Sequence, residues 1–147
     1  AGMREIMNGP RGLPIMKPPY GRITAFDLNR GTQAWMVPNP DGPRNNPALA
    51  GLNLPPLGDA TPSAVIATKT LLFVTQADKS TPRSPANVGG TKFMALDKAT
   101  GATLWSIDLG VGQNGTPMTY LHDGKQYVVV AVGSTDYPAE LVALALP

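Results

Sequence analysis

Asp27 and Asp97 are the first residues to consider for chemistry, because a pair of carboxylates can divide acid and base roles and the chain offers one imidazole, His122, beside them. A single histidine cannot assemble a multi-histidine metal site. The absence of cysteine removes disulfides, thiolate zinc sites and cysteine nucleophiles together. No Ser/His/Asp or Cys/His set is at hand for nucleophilic catalysis. Gly110-Val111-Gly112-Gln113-Asn114-Gly115 spells G-x-G-x-x-G. That pattern binds a dinucleotide only where a helix opens after the last glycine, and Thr116-Pro117-Met118-Thr119-Tyr120 continues as strand, so the match is coincidental. His122 precedes Asp123-Gly124, a hairpin-turn pair, and reads as an exposed turn residue.

Both aspartates belong to a phrase that occurs twice, 70 positions apart. Ala25-Phe26-Asp27-Leu28-Asn29-Arg30-Gly31-Thr32-Gln33-Ala34-Trp35 and Ala95-Leu96-Asp97-Lys98-Ala99-Thr100-Gly101-Ala102-Thr103-Leu104-Trp105 share A-x-D-x-x-x-G-x-x-x-W. A strand-turn-strand unit accounts for each fixed position. The small Ala suits a crowded strand, the Asp bonds the backbone of the following turn, and the Gly supplies positive φ. The Trp anchors packing from the next strand. The aspartates are therefore expected to be structural, and repetition at this scale points to a propeller, solenoid or array.

With its surroundings the phrase resembles the tryptophan-docking motif of the pyrroloquinoline quinone (PQQ) dependent dehydrogenases. Lys17-Pro18-Pro19-Tyr20-Gly21 leads into the first copy, and Gly115-Thr116-Pro117-Met118-Thr119-Tyr120 with Asp123-Gly124-Lys125-Gln126-Tyr127-Val128 follows the second. These contexts look like the C-terminal blades of the glucose and alcohol dehydrogenase branch. The resemblance implies an all-β propeller segment of four-stranded blades, about two and a half blades of a larger ring. It also implies PQQ and calcium as cofactors, a sugar or alcohol substrate, a quinone or cytochrome electron acceptor and a periplasmic location. The catalytic base and metal ligands of such enzymes lie in upstream blades, so none is assigned here and the chain alone is expected to be inactive. A non-enzymatic PQQ-like repeat scaffold and a self-associating fragment are the alternatives.

Composition agrees with a loop-rich β protein: 16 Gly, 16 Pro and 15% charged residues in 147. The net charge of +2 is small, and the basic residues are scattered, which leaves no nucleic-acid stripe or polybasic membrane patch. No apolar run approaches the ~20 residues of a membrane helix. Alternation and turn punctuation place strands at 22–27, 33–37, 63–68, 71–76, 92–97, 103–108, 117–121, 126–132 and 140–146. Residues 1–37 would then hold the outer half of one blade, 63–108 a complete blade, and 109–147 the inner part of a closing blade. Leu141-Val142-Ala143-Leu144-Ala145 aligns with Phe93-Met94-Ala95-Leu96-Asp97 at an offset of 48. Between them, 38–62 is rich in proline, which cannot donate to a ladder, and is expected to be a surface loop.

In a propeller, the connections between blades and those between a blade's second and third strands emerge on one face. By resemblance that is where the quinone lies. Asn114, Gly115, Thr116, Gly133 and Ser134 are the candidate cofactor neighbours, with Asp59 and Thr61 as the equivalent set one blade earlier. The competing reading is that all seven only make turns. Some relatives carry a Trp beside the glycine that corresponds to Gly133, where this chain has Ser134. The 77–90 loop would share the same face.

Overall fold

The computed structural model describes residues 9–39, 42–61, 63–76 and 90–145. Nine strands form three separate antiparallel sheets among these residues. The first sheet pairs β1 (Arg22–Asp27) with β2 (Thr32–Pro38). The second has the order β3 (Val65–Ala67), β4 (Leu71–Thr75), β5 (Lys92–Asp97) and β6 (Thr103–Asp108). The third has the order β7 (Met118–His122), β8 (Lys125–Val132) and β9 (Glu140–Ala145). Every sheet runs in chain order, the grammar of propeller blades, and the only helical turns among the described residues are three short 3-10 turns at Pro10–Gly12, Pro43–Asn45 and Pro47–Leu49. The expected loop at 77–90 lies almost wholly outside the described residues, as does Leu146.

The repeated phrase builds the same turn twice. Asp27 Oδ1 accepts the Asn29 and Arg30 N–H groups at 2.9 and 3.2 Å, and Asp97 Oδ1 accepts those of Ala99 and Thr100 at 2.9 and 2.8 Å. Gly31 and Gly101 close the turns at φ of 66° and 76°, a conformation costly to residues with a Cβ. The alanine of the phrase is explained by register: Ala25 stands opposite Trp35 and Ala95 opposite Trp105, with a bulge immediately after each alanine. A small residue across from the indole gives the ring room on the sheet. The expected structural role of both aspartates holds.

Apolar alternation then stacks the sheets. Val74, Met94 and Leu96 of the second sheet are buried against Ile23 and Val37 of the first. Val130 and Val132 of the third sheet gather with Val111 and Leu109 from the connection after β6. Trp35 spans the first junction: its indole N–H donates to the Lys98 carbonyl at 3.0 Å, and a Cβ on Gly101 would come within 2.6 Å of its ring. The two tryptophans differ here from the expectation that they would be alike. Trp105 is 43% exposed and meets Phe93 edge-on at 6.2 Å, with no turn laid over it among the described residues. At the 48-residue offset, the aspartate position of the phrase is occupied by Ala145.

The proline-rich segment also departs from expectation. Its tip is exposed, but its ends are not: Asn39, Leu57, Asp59 and Thr61 are buried. Proline bars regular ladders without barring close packing, and here the returning backbone lies across the entry to β1. His122 sits at the expected hairpin, where Asp123 and Gly124 take φ of 48° and 74°. Its side chain is exposed.

Trp35→Ala should lower stability by about 2 kcal/mol, below the range for a fully buried aromatic because the ring is half-buried, and Trp105→Ala by much less; urea unfolding of both variants checks the order, and equal losses would contradict the docking asymmetry. The Asp97 carboxyl is held below its ordinary 3.8, first by the Thr100 hydroxyl and then by the Thr100 N–H, with a lesser contribution from Ala99. A folded value below the unfolded one means that this stabilisation is complete above about pH 4 and is lost as pH falls through the folded value. Asp97→Asn should therefore flatten the acid limb of the stability curve below about pH 4, measured as the urea midpoint against pH; superimposable acid limbs would contradict the turn analysis.

Candidate functional site

Antiparallel pairing puts the starts of β1, β3, β5 and β7 at the same end as the finishes of β2, β4, β6 and β8. Polar side chains collect at that end. The buried polar residues among those described are Asn39, Asp59, Thr61, Thr75, Gln76 and Gln113, and each lies in a connection there or at a strand terminus. The middle of the sheets is apolar. Connection residues cannot all complete a ladder, so side-chain amides and hydroxyls satisfy the backbone that the strands leave over.

Five of the predicted residues come together in one corner. Asn114 N–H donates to the Ala131 carbonyl at 2.9 Å, and its side-chain Nδ2 donates to the Gly133 carbonyl at 2.6 Å. The Gly133 N–H reaches the Gly112 carbonyl at 3.3 Å. Gly115 donates to Gln113 Oε1, and the Gln113 N–H donates to the Gln76 carbonyl at 3.0 Å, tying this corner to the end of β4. A Cβ on Gly133 would stand 3.3 Å from Asn114 Nδ2, so the bare glycine admits the amide. Asn114 and Thr116 are exposed and Ser134 is half-buried. Among the described residues Thr116 makes no hydrogen bond, and Ser134 Oγ only accepts, from the Asp136 N–H at 3.2 Å. Hydroxyl protons of both remain to be donated.

Asp59 and Thr61 form a second group. Asp59 Oδ1 accepts both the N–H and the hydroxyl of Thr61 at 2.8 Å, and its own N–H donates to the Asn39 carbonyl at 2.7 Å. Three glycines make the crossing possible. A Cβ on Gly21 would fall on the Asp59 carbonyl, one on Gly58 on the Gly21 carbonyl, and one on Gly42 on the Gly58 carbonyl. No hydrogen bond among the described residues joins this group directly to the Asn114 corner. The register of β3 and β4 brings them near each other: continuing from Val65 opposite Val74, Ser63 faces Gln76, which holds Gln113.

The connection after β8 carries its own polar pair. Ser134 N–H donates to the Tyr137 carbonyl at 3.1 Å, and Tyr137 Oη donates to Glu140 Oε2 at 3.1 Å. That bond to a carboxylate, and then the carboxylate's charge, push the Tyr137 hydroxyl above its ordinary value, so it stays a donor at neutral pH. Nothing in the corner resembles a proton-relay dyad. Its chemistry is that of a rim: hydroxyl and amide donors on fixed backbone. Asn39, Gln76 and Gln113 escaped the sequence reading. Gln113 was hidden in the glycine pattern rejected as coincidence, and Gln76 ends an alternating strand without any mark of its own.

A family model described as "Glucose/ethanol/alcohol dehydrogenase, beta-propeller domain" of the PQQ proteins matches residues 1–128. The chain is similar to the "Probable quinate dehydrogenase (quinone)" of Xanthomonas campestris pv. juglandis, with 34% identity over 144 residues, 92% of this chain and 17% of that protein. It is 33% identical over 142 residues to the "Quinate/shikimate dehydrogenase (quinone)" of Acinetobacter baylyi, covering 92% of this chain and 16% of that one. With the "Quinoprotein glucose dehydrogenase" of Escherichia coli it shares 30% over 149 residues, 94% of this chain and 17% of the other. The chain thus spans about a sixth of the length of these relatives.

Asn114→Ala should cost about 1 kcal/mol, the net worth of one hydrogen bond, and speed amide exchange at Gly133 while leaving the Thr100 amide untouched. Exchange measured by NMR checks this; unchanged protection at Gly133 would contradict the role given to the Asn114 side chain.

Proposed function

The chain belongs to the PQQ glucose/ethanol/alcohol dehydrogenase β-propeller family, and from that premise we propose that it is the C-terminal wall of a periplasmic quinoprotein dehydrogenase that oxidises a sugar or other polyhydroxylic alcohol. The observation that carries this is the single polar end of the three sheets, where Asn114, Thr116 and Ser134 present hydrogen-bond donors. PQQ is a quinone rich in carboxylates, and amide and hydroxyl donors suit its rim. Among the candidate residues the one carboxylate, Asp59, is buried and bonded to Thr61. Bound in the ring, PQQ supplies the two-electron quinone that takes hydride equivalents from the alcohol carbon. The chain's part would be to hold that rim: Asn114 and Gly133 fix each other, Gly115 lies on Gln113, and the Thr116 and Ser134 hydroxyls would donate to a cofactor bound there. Asp59 and Thr61 hold the neighbouring connection in shape beside it.

Calcium, the catalytic base and the contact to a quinone or cytochrome acceptor belong in this reading to blades outside the chain. The names of the relatives support an enzyme over a bare repeat scaffold, and quinate joins glucose and glycerol as a substrate to test.

A second observation concerns partners. One face of the third sheet is apolar and open: Met118, Tyr120 and Leu141 are 54%, 42% and 73% exposed, and Tyr120 stacks on Tyr127 at 5.1 Å. Among the described residues β9 also has an unpaired edge. In the ring, further blades cover both. Alone, the chain would pair with copies of itself there, because an open apolar edge is a template for another strand.

Two outcomes are expected. The full-length protein, loaded with PQQ and calcium, reduces a dye acceptor in the presence of glucose, glycerol or quinate, while this chain alone gives no turnover above a cofactor-only control, because a rim without the opposing blades cannot pre-organise the quinone. Turnover by the chain alone, or none by the loaded full-length protein with any polyol, would overturn the reading. In light scattering, the isolated 15.4 kDa chain should grow in mean mass with concentration; a monomer throughout would contradict the open face.

A further inference from the structure

Asn114 is followed by Gly115, and that pair has a chemistry of its own. Asparagine is a chemically labile side chain, because the main-chain nitrogen of the next residue can attack its carboxamide. Glycine, with no Cβ in the way, leaves that nitrogen the least hindered. The fold does not need the glycine for itself. A Cβ on Gly115 would meet only the Ala131 methyl, at an ordinary 3.8 Å, and Gly115 is not among the glycines of positive φ. Asn114 is exposed and Gly115 half-buried, so solvent reaches the pair.

We propose that Asn114 is a deamidation site that the fold holds in check. In the reaction the Gly115 nitrogen bonds to Asn114 Cγ, the Cγ–Nδ2 bond breaks, and Nδ2 leaves as ammonia with the proton that the Gly115 nitrogen gives up. The product is a five-membered cyclic imide. Water, the one co-reactant, then opens the ring at either carbonyl and leaves aspartate or isoaspartate at position 114.

The closed corner ties down each group that must react. The Gly115 N–H donates to Gln113 Oε1 at 3.3 Å and so points away from the carboxamide it would attack. Nδ2, the leaving group, is held on the Gly133 carbonyl at 2.6 Å. The Asn114 N–H is held on the Ala131 carbonyl at 2.9 Å, beside the bridge between Gln113 and Val132. Ring closure breaks the bonds of Gly115 and Nδ2 together, so the site reacts only when the corner opens locally. Closing again does not undo the change. Where Nδ2 met the Gly133 carbonyl, a carboxylate oxygen would face it, two acceptors with no proton between them. Isoaspartate also lengthens the main chain by an atom beside the bridge. Either product leaves the corner open and puts a negative charge at the polar end of the sheets. The inference concerns only the chain's own atoms and water, and it stands independently of the cofactor reading.

Peptide mapping by mass spectrometry tests it, on the whole chain held at mildly alkaline pH with one sample folded and one in urea. The gain in mass of an amide turned to acid is expected at position 114 in both samples, more slowly in the folded one. No conversion at 114 in the folded sample, or equal rates in the two, would overturn the proposal. The sequence has a second Asn-Gly pair at Asn8-Gly9, which falls in a different tryptic peptide. Gly115→Ala, for which the packing has room, is expected to remove most of the conversion in both samples; an undiminished rate would rule out attack by the main-chain nitrogen. Gln113→Ala frees the Gly115 N–H and should speed conversion in the folded chain about fivefold, the equilibrium factor that one net hydrogen bond carries, with the rate in urea unchanged. The same folded rate as the original chain would contradict the check that Gln113 is given. Should Gln113→Ala fail to fold, the folded and urea samples of the original chain decide.

Discussion

The seating of an indole on a bare α-carbon sets the distance between the first two sheets. Trp35 can lie over the β5–β6 turn because position 101 has no side chain, and its N–H reaches the Lys98 carbonyl because the Asp97 carboxylate has already drawn that turn tight. A residue with a Cβ at position 101 would strain the turn and push the ring away at once. With the spacing fixed, Val74, Met94 and Leu96 meet Ile23 and Val37 at packing distance. Asp, Gly and Trp are one device spread across two sheets.

The wall divides labour along the strands. The middles of β5 and β8 are apolar and buried, while the common end of the strands gathers the amides and hydroxyls that finish the backbone bonding. This division positions the candidate site. Asn114 and Gly133 come together because β6 must cross to β7 at the same end where β8 must turn toward β9, and Gln113 bonded to Gln76 holds that crossing against the preceding sheet. That corner is thus held by hydrogen bonds to the connection on either side of it. The glycine crossing at Gly21, Gly42 and Gly58 does the same for Asp59 by letting three backbones approach without side chains between them.

Most of the fold could be read from the sequence because its determinants are local and repeated. Ala, Asp, Gly and Trp each answer a constraint within one hairpin, so both copies declared the turn, and strand alternation located all nine strands to within a few residues. The Asn114 and Gly133 corner was legible through topology, which says which connections share an end. What was missed depends on non-local contacts. The proline-rich segment reads as surface because proline opposes ladders, but its burial arises from glycines far apart in sequence. Trp105 repeats Trp35 letter for letter, yet no turn lies over it among the described residues. Asn39 was invisible because its N–H donates to the Gly21 carbonyl as that of Leu109 does to the Thr91 carbonyl, and only the side chain departs.

The central claim is that these three sheets are consecutive blades whose polar end faces a bound quinone. A cryo-electron microscopy or crystal structure of the full-length protein with PQQ tests it most directly. The account predicts that the three sheets are arranged radially about one axis, with the Thr116 and Ser134 hydroxyls directed toward the cofactor from the rim. A quinone at the opposite end of the strands, or sheets that do not share an axis, would contradict it.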